Sequence, residues 1–424
     1  MTTQTVDLAP RWRPTDLQHR LVTISAVAGF IALAAGRAEL VGLAAPLLGA
    51  LAAGWLSPPP QQLQVNLTQN LDTCLESEQI TLGAEIASQA TVGALTPTLR
   101  TPPGLAVRAT TTAYRGGTWH AQWTLDTVRW GRWPLGALTL DVSAAAGLLA
   151  AHVEIDCGRV DVYPRAPEPH ALQLPTQLVQ QLGEHVSPST GQGSEFTGIR
   201  PHQHGLPLRR INWAVTSRRH SLHINTYGAE HALDLVVVID AYSDVGRPGA
   251  SSLDLAARGA TALAHAHLRY HDRAGAIVLG TPLHWLRPDL AQRQYYRIIN
   301  HILDMPRWPS AAEPDITRVP VTALPPGALV VMFSPLLDER AVGVARDLSR
   351  RGYPLLVVDV LNTEPPIEPT ALDRLALRLW RLDREALHHA LAVLGIPVLH
   401  WDAHEPLEIA LARLPAAARA GADR

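Results

Sequence analysis

Residues 233–240 read LDLVVVID, in which the aliphatic run 235–239 is closed by Asp240, and this stretch decides the fold of the C-terminal half. A continuous Val/Ile/Leu run marks a strand buried on both faces, as in a parallel sheet. Downstream, GAIVLG (275–280), ALVVMF (328–333), YPLLVVDVL (353–361) and IPVLHW (396–401) repeat it. Between the runs the apolar spacing turns helical: Leu253, Ala256, Ala257, Ala260, Leu263 and Ala264 share one face, and further helices are expected near 290–304, 338–351 and 370–394. Strands alternating with helices predict a doubly wound α/β domain over 233–424. Ligands on such sheets bind at the carboxyl ends of the strands, so the loop after Asp240 is the first place to look.

Upstream the period changes to two. Leu63, Val65 and Leu67, then Ile80, Leu82, Ala84 and Ile86, then Leu138, Leu140 and Val142 alternate with polar residues, and turn-rich stretches such as TPPG (101–104) separate the sets. This predicts an antiparallel β-sandwich over 58–165, immunoglobulin-like in shape. Residues 166–232, rich in Pro, Gln, Ser and Gly at their start, read as a connector.

Residues 1–57 hold two uncharged apolar stretches, LVTISAVAGFIALAAG (21–36) and LVGLAAPLLGALAAGWL (40–56). Each spans about 25 Å as a helix, the short end for a bilayer core. They predict a transmembrane helical hairpin. Arg11, Arg13 and Arg20 precede the first stretch, whereas Arg37 in the turn is balanced by Glu39, so the N-terminus and everything beyond Pro58 are expected on the cytoplasmic side of the inner membrane.

Composition narrows the chemistry. The 424 residues carry 36 basic against 38 acidic side chains, a net charge of −2, which argues against a nucleic-acid binder. No lysine occurs, so a P-loop, a pyridoxal Schiff base and a protein-kinase site are all excluded. Cys74 and Cys157 form neither a disulfide framework nor a thiolate zinc site.

The stretch GSEFTGIRPHQHGLPLRRINWAVTSRRHSLHINTY, from Gly193 to Tyr227, is the most distinctive. It resembles the bacterial domain-of-unknown-function family 58 through Glu195, Phe196, Arg200, Gly205, Arg209, Arg210, Ile211 and Trp213. The order of parts agrees: two apolar spans, a β domain with the turn Arg132–Gly136, the exit Val162, Tyr163 and Pro164, then the LDLVVVID strand. The resemblance implies a membrane-anchored chain with a von Willebrand factor A-like domain, partnering a MoxR-class AAA+ ATPase. It implies no enzymatic reaction, and no small-molecule substrate is evident.

Departures bear on the chemistry. An A-type metal loop reads Asp-x-Ser-x-Ser, whereas this chain has Asp240, Ala241, Tyr242, Ser243 and Asp244. Asp240, Asp244 and Asp338 could gather as carboxylate ligands for magnesium or calcium, but a capping role for Asp240 without metal is the preferred expectation. The family's Gly-Asp is Gly205-Leu206 here, and its Ile-Asp-Trp is Ile211-Asn212-Trp213. His202, His204, His220, His223 and His231 crowd the connector without the spacing of a zinc site. Because Ile211, Trp213, Leu222 and Ile224 interleave with Arg209, Arg210, Arg218 and Arg219, the segment reads as strand-like, with a buried Trp213 packed on the α/β domain and the arginines facing a partner. The expected function is a membrane-tethered adaptor or scaffold, not an enzyme and without a cofactor; the alternative is a metal-assisted hydrolase using Asp240, Asp244 and Asp338.

Overall fold

The computed structural model describes residues 2–37, 41–90, 92–165, 195–201, 211–219, 221–228, 234–280, 283–304, 319–366, 368, 370–402 and 404–413. The chain divides into two compact units, Met1–Arg165 and Ala166–Arg424.

In the first unit a five-stranded antiparallel sheet has the order β1 (Thr2–Leu8), β3 (Leu63–Gln69), β5 (Gln79–Ser88), β8 (Thr118–Thr127), β7 (Leu105–Arg115). A second, four-stranded sheet runs β2 (Arg13–Pro14), β11 (Leu149–Asp156), β10 (Ala137–Ala144), β6 (Ala94–Arg100), and a short one joins β4 (Thr73–Leu75), β12 (Arg159–Tyr163) and β9 (Gly131–Pro134). The period-two residues converge on one core: Leu63, Val65, Ile80, Leu82, Trp123 and Leu125 from the first sheet meet Leu138, Leu140, Val142 and Ile155 from the second. In the turn Arg132–Gly136, Leu135 is fully buried and the Trp133 indole N–H donates to Arg129 O at 2.8 Å.

Helices α1 (Asp16–Ala35) and α2 (Val41–Leu56) form the apolar hairpin. The first is long and apolar enough to cross a membrane; the second is apolar but shorter, 16 residues with Pro46 inside. The sequence gives no warning that both ends of this hairpin are stitched into the β unit. Strand β1 before it pairs with β3 after it, Val6 opposite Val65. Trp12 Nε1 donates to Pro60 O at 3.0 Å. Thr15, the N-cap of α1, donates its hydroxyl to Gly147 O at 2.8 Å, and a Cβ on Gly54 of α2 would lie 2.3 Å from Leu148 of the same turn. Only glycine lets α2 approach that closely.

In the second unit six strands run in the order β17 (His284–Asp289), β16 (Arg273–Leu279), β15 (Asp234–Asp240), β18 (Leu329–Ser334), β19 (Leu355–Asp359), β20 (Val398–His400). All pairs are parallel except β16–β17. Alternate residues feed two faces. Val236, Val238, Val330 and Met332 pack with Ala341, Val344 and Leu348 of α6 (Glu339–Arg350). On the other face lies α4 (Ser252–Arg269), where a Cβ on Gly259 would come within 2.5 Å of Phe333. Ser251 caps α4 by a reciprocal box with Asp254. Helices α5 (Gln292–Leu303), α7 (Ala371–Val393) and α8 (Leu407–Ala412) complete the unit. The antiparallel β17 is an addition to the expected sheet; its sequence, HWLRPD, lacks the aliphatic run that identifies the parallel strands.

Because β1 pairs with β3, both ends of the hairpin lie on one side of any membrane it enters. Cysteines placed at the exposed Gln4 and Gln64 are therefore labelled together, or not at all, by an impermeant maleimide added to sealed vesicles. Background is low, since burial pushes the Cys74 and Cys157 thiols up to about 12 and about 11. Labelling from opposite sides refutes the pairing.

Candidate functional site

The chain leaves β15 toward β16 on one side and later takes up β18 on the other, so the crevice between the carboxyl ends of β15 and β18 is where such a sheet receives a ligand. Asp240 ends β15, Ser334 ends β18, and both are fully buried. The Ser334 hydroxyl donates to Asp240 Oδ2 at 2.6 Å and the Tyr242 N–H to Oδ1 at 3.0 Å. Burial pushes the Asp240 carboxyl up to about 6, against the pull of those two hydrogen bonds.

The rest of the expected carboxylate cluster is dispersed among protein donors. Tyr242 turns into the core beside Val236 and Leu336, with the Arg340 guanidinium 4.0 Å from its ring centre. Arg340 also grips Asp338 through Nε at 3.0 Å and Nη2 at 2.8 Å. Those hydrogen bonds hold the Asp338 carboxyl below the usual range, and Asp338 caps α6 by accepting the Arg340 N–H. Asp244 accepts the Leu253 N–H at 3.3 Å in the first turn of α4. Among the described residues no three His, Cys, Asp or Glu side chains are gathered as a metal ion would need.

A second buried carboxylate lies two strands away. Asp359 ends β19 and is 1% exposed. Arg384 of α7 donates Nη2 to Asp359 Oδ2 at 2.5 Å and Nη1 to Pro335 O at 2.9 Å. His388 Nε2 is 3.2 Å from the same carboxylate oxygen, off the line of a hydrogen bond, and His400 Nδ1 is 3.8 Å away. Burial raises the Asp359 carboxyl, but the imidazoles and Arg384 outweigh it and leave the group well below the usual carboxylate range. The carboxylate in turn raises His400. These groups line an open cavity of about 820 Å³, whose lining also includes Arg247, Arg381 and Glu364. Sequence reasoning passed over this centre, although LLVVD (355–359) ends in an acid as LDLVVVID does.

The connector supplies a two-stranded ribbon. Glu195, Phe196 and Arg200 lie on β13 (Glu195–Pro201), which pairs antiparallel with β14 (His223–Gly228), and Ile211 bridges to Ile224. Arg209, Arg210, Gly205, His202, His204, His220 and His231 lie outside the described residues. The expectation of a strand-like segment with a buried Trp213 is corrected: Trp213 opens a helix, α3 (Trp213–Arg219), and is 69% exposed. The cause is Asn212, whose Oδ1 accepts the Val215 N–H at 3.1 Å while its own N–H donates to His223 O at 2.8 Å. That cap ends the alternation after Ile211. Asn and Asp cap almost equally well, so an acid at position 212 would cap the same turn.

Two outcomes follow for the full-length protein in detergent. Trp213→Ala changes stability by less than about 0.5 kcal/mol, as expected for an exposed side chain, whereas Asn212→Ala costs about 1 kcal/mol; thermal unfolding decides between this and a buried tryptophan. For Asp240 the folded carboxyl titrates near 6 and the unfolded one near 3.8. Its contribution is thus fully present below the unfolded value and is lost as pH rises through 6, on the order of 2–3 kcal/mol. Asp359 acts with the opposite sign, below that window, because its folded carboxyl is depressed. Asp240→Asn should therefore remove a fall in melting temperature between pH 4 and 6, and an unchanged slope contradicts the assignment.

A family model described as Protein of unknown function DUF58 matches residues 198–365. Uncharacterized proteins of Mycobacterium bovis and Mycobacterium tuberculosis are each 30% identical over 137 residues, which is 32% of this chain and 43% of theirs. The chain thus spans less than half the length of these curated relatives. The matched residues contain β14, β15, the Asp240 and Ser334 crevice and Asp359, and they begin at Gly198 within β13. Over residues 198–365 the chain is similar to the family described as protein of unknown function DUF58.

Proposed function

We propose that the chain is a membrane-tethered adaptor. In this reading the hairpin inserts in the inner membrane with both units on the cytoplasmic side, the first unit serves as an immunoglobulin-like spacer, and the second is a von Willebrand factor A-like domain that binds protein without a metal ion. The observation that carries it is the closed crevice at Asp240. A carboxylate with no exposed surface, shared between the Ser334 hydroxyl and the Tyr242 N–H, has no face left for substrate. Asp338 and Asp244, the other ligands a hydrolase would recruit, accept from Arg340 and Leu253. Recognition then falls to the surface, and the partner proposed is a MoxR-class AAA+ ATPase from the same cell.

The test is co-elution of the detergent-solubilised full chain with that ATPase. Binding is expected, and Arg209→Ala with Arg210→Ala should weaken it about tenfold or more, since arginines are frequent anchors of protein interfaces. An ATPase that never co-elutes, in any nucleotide state, rules out the partnership. Micromolar magnesium or calcium affinity in calorimetry, lost in Asp240→Ala, revives the hydrolase.

A further inference from the structure

Helix α7 is 23 residues long, yet Leu391 is its one buried residue. Its inward face rests on the core through Leu391 and Leu387 and on the sheet edge through Arg384, which bonds Asp359 and Pro335 O. The opposite face carries Leu372, Leu375, Leu379 and Leu382, which are 76%, 53%, 55% and 59% exposed, and Val393 at 73%. The spacing three, four, three places these leucines at successive a and d positions of a heptad, which continues through Ala386 and His389 to Val393. A contiguous apolar stripe of this kind marks an interaction surface.

We propose that this face pairs with the same helix of a second copy of the chain as a parallel two-stranded coiled coil. An a/d stripe is self-complementary: knobs of one helix enter the holes of an identical partner in the same register. The flanking charges favour that occupant. Counting Leu372 as a, Arg378 falls at g and Asp383 at the following e, the two positions that face each other across a parallel pair. Two-fold symmetry makes the Arg378–Asp383 contact twice. Within the described residues neither side chain is drawn into another ion pair. A lipid surface fits less well, because the flanking positions carry Arg378 against Asp383 and Glu385, a net negative charge that anionic headgroups would repel. This surface is separate from the Asp240 crevice and does not depend on the adaptor reading.

The experiment is light scattering on the full chain in detergent across a concentration series, with variants on the exposed face. A dimer is expected, and Leu379→Asp with Leu382→Asp should weaken it at least tenfold while leaving the circular dichroism unchanged. Arg378→Asp should weaken it about fivefold, and adding Asp383→Arg should restore it. Leu375→Cys and Leu382→Cys should each cross-link to the same residue of the other copy, which an antiparallel pair allows for one of them at most. A chain that stays monomeric at its highest soluble concentration overturns the proposal. So does a dimer indifferent to the leucine variants, or a charge reversal that the second substitution fails to rescue, which would give the stripe to another protein or to lipid.

Discussion

A carboxylate cut off from water must find replacement donors or give up its charge, and the carboxyl edge of the six-stranded sheet answers this demand in two ways. Asp240 receives neutral donors, a hydroxyl and a backbone N–H, and its carboxyl is raised. Asp359 receives a guanidinium and two nearby imidazoles, and its carboxyl is lowered. The first arrangement ties the end of β15 to β18, its neighbour across the point where the strand order turns. The second ties β19 to α7 and β20. Together they organise the carboxyl edge of the sheet, which is closed at Asp240 and open to a cavity at Asp359, and every candidate role for this unit has to be consistent with them.

What the sequence made legible follows the strength of the local signal. Continuous aliphatic runs fall on the buried parallel strands, and the small-residue face from Leu253 to Ala264 falls on α4, because both patterns arise from burial that the fold cannot avoid. The period-two sets likewise converge on the core of the first unit. Three features escaped for a shared reason: their cause lies in a partner distant in sequence. Strand β1 exists as a strand through β3, some sixty residues on. Strand β17 carries a proline and a mixed pattern, and is ordered by β16. Asp359 draws on Arg384 and His400, none of which has a motif of its own. Trp213 misled differently, since its alternation with Ile211 is genuine in sequence but is interrupted by one capping amide.

The first unit meets a mechanical requirement. A helical hairpin joined to a domain by one strand could swivel; here it is held at both ends, by the β1–β3 ladder, by Trp12 on Pro60 and by Thr15 and Gly54 against the turn at 145–148. Several contacts at separate points fix an orientation as well as a position. The β sheets are thereby carried at a set angle to the hairpin.

Tyr242 and Arg340, at the mouth of the loop where an A-type metal site would carry a small hydroxyl, form a coupled pair. The Tyr242 ring is 6% exposed, and a serine in its place would leave an apolar void beside Val236 and Leu336. It would also remove the surface on which Arg340 rests, and Arg340 is the group that engages Asp338. Freed of the ring, Arg340 would still carry its positive charge close to any cation bound between Asp240 and Asp338. Placing small hydroxyls at 242 and 244 alone would therefore not make a cation site: the arginine that stacks on the tyrosine opposes a metal electrostatically, and both would have to change together.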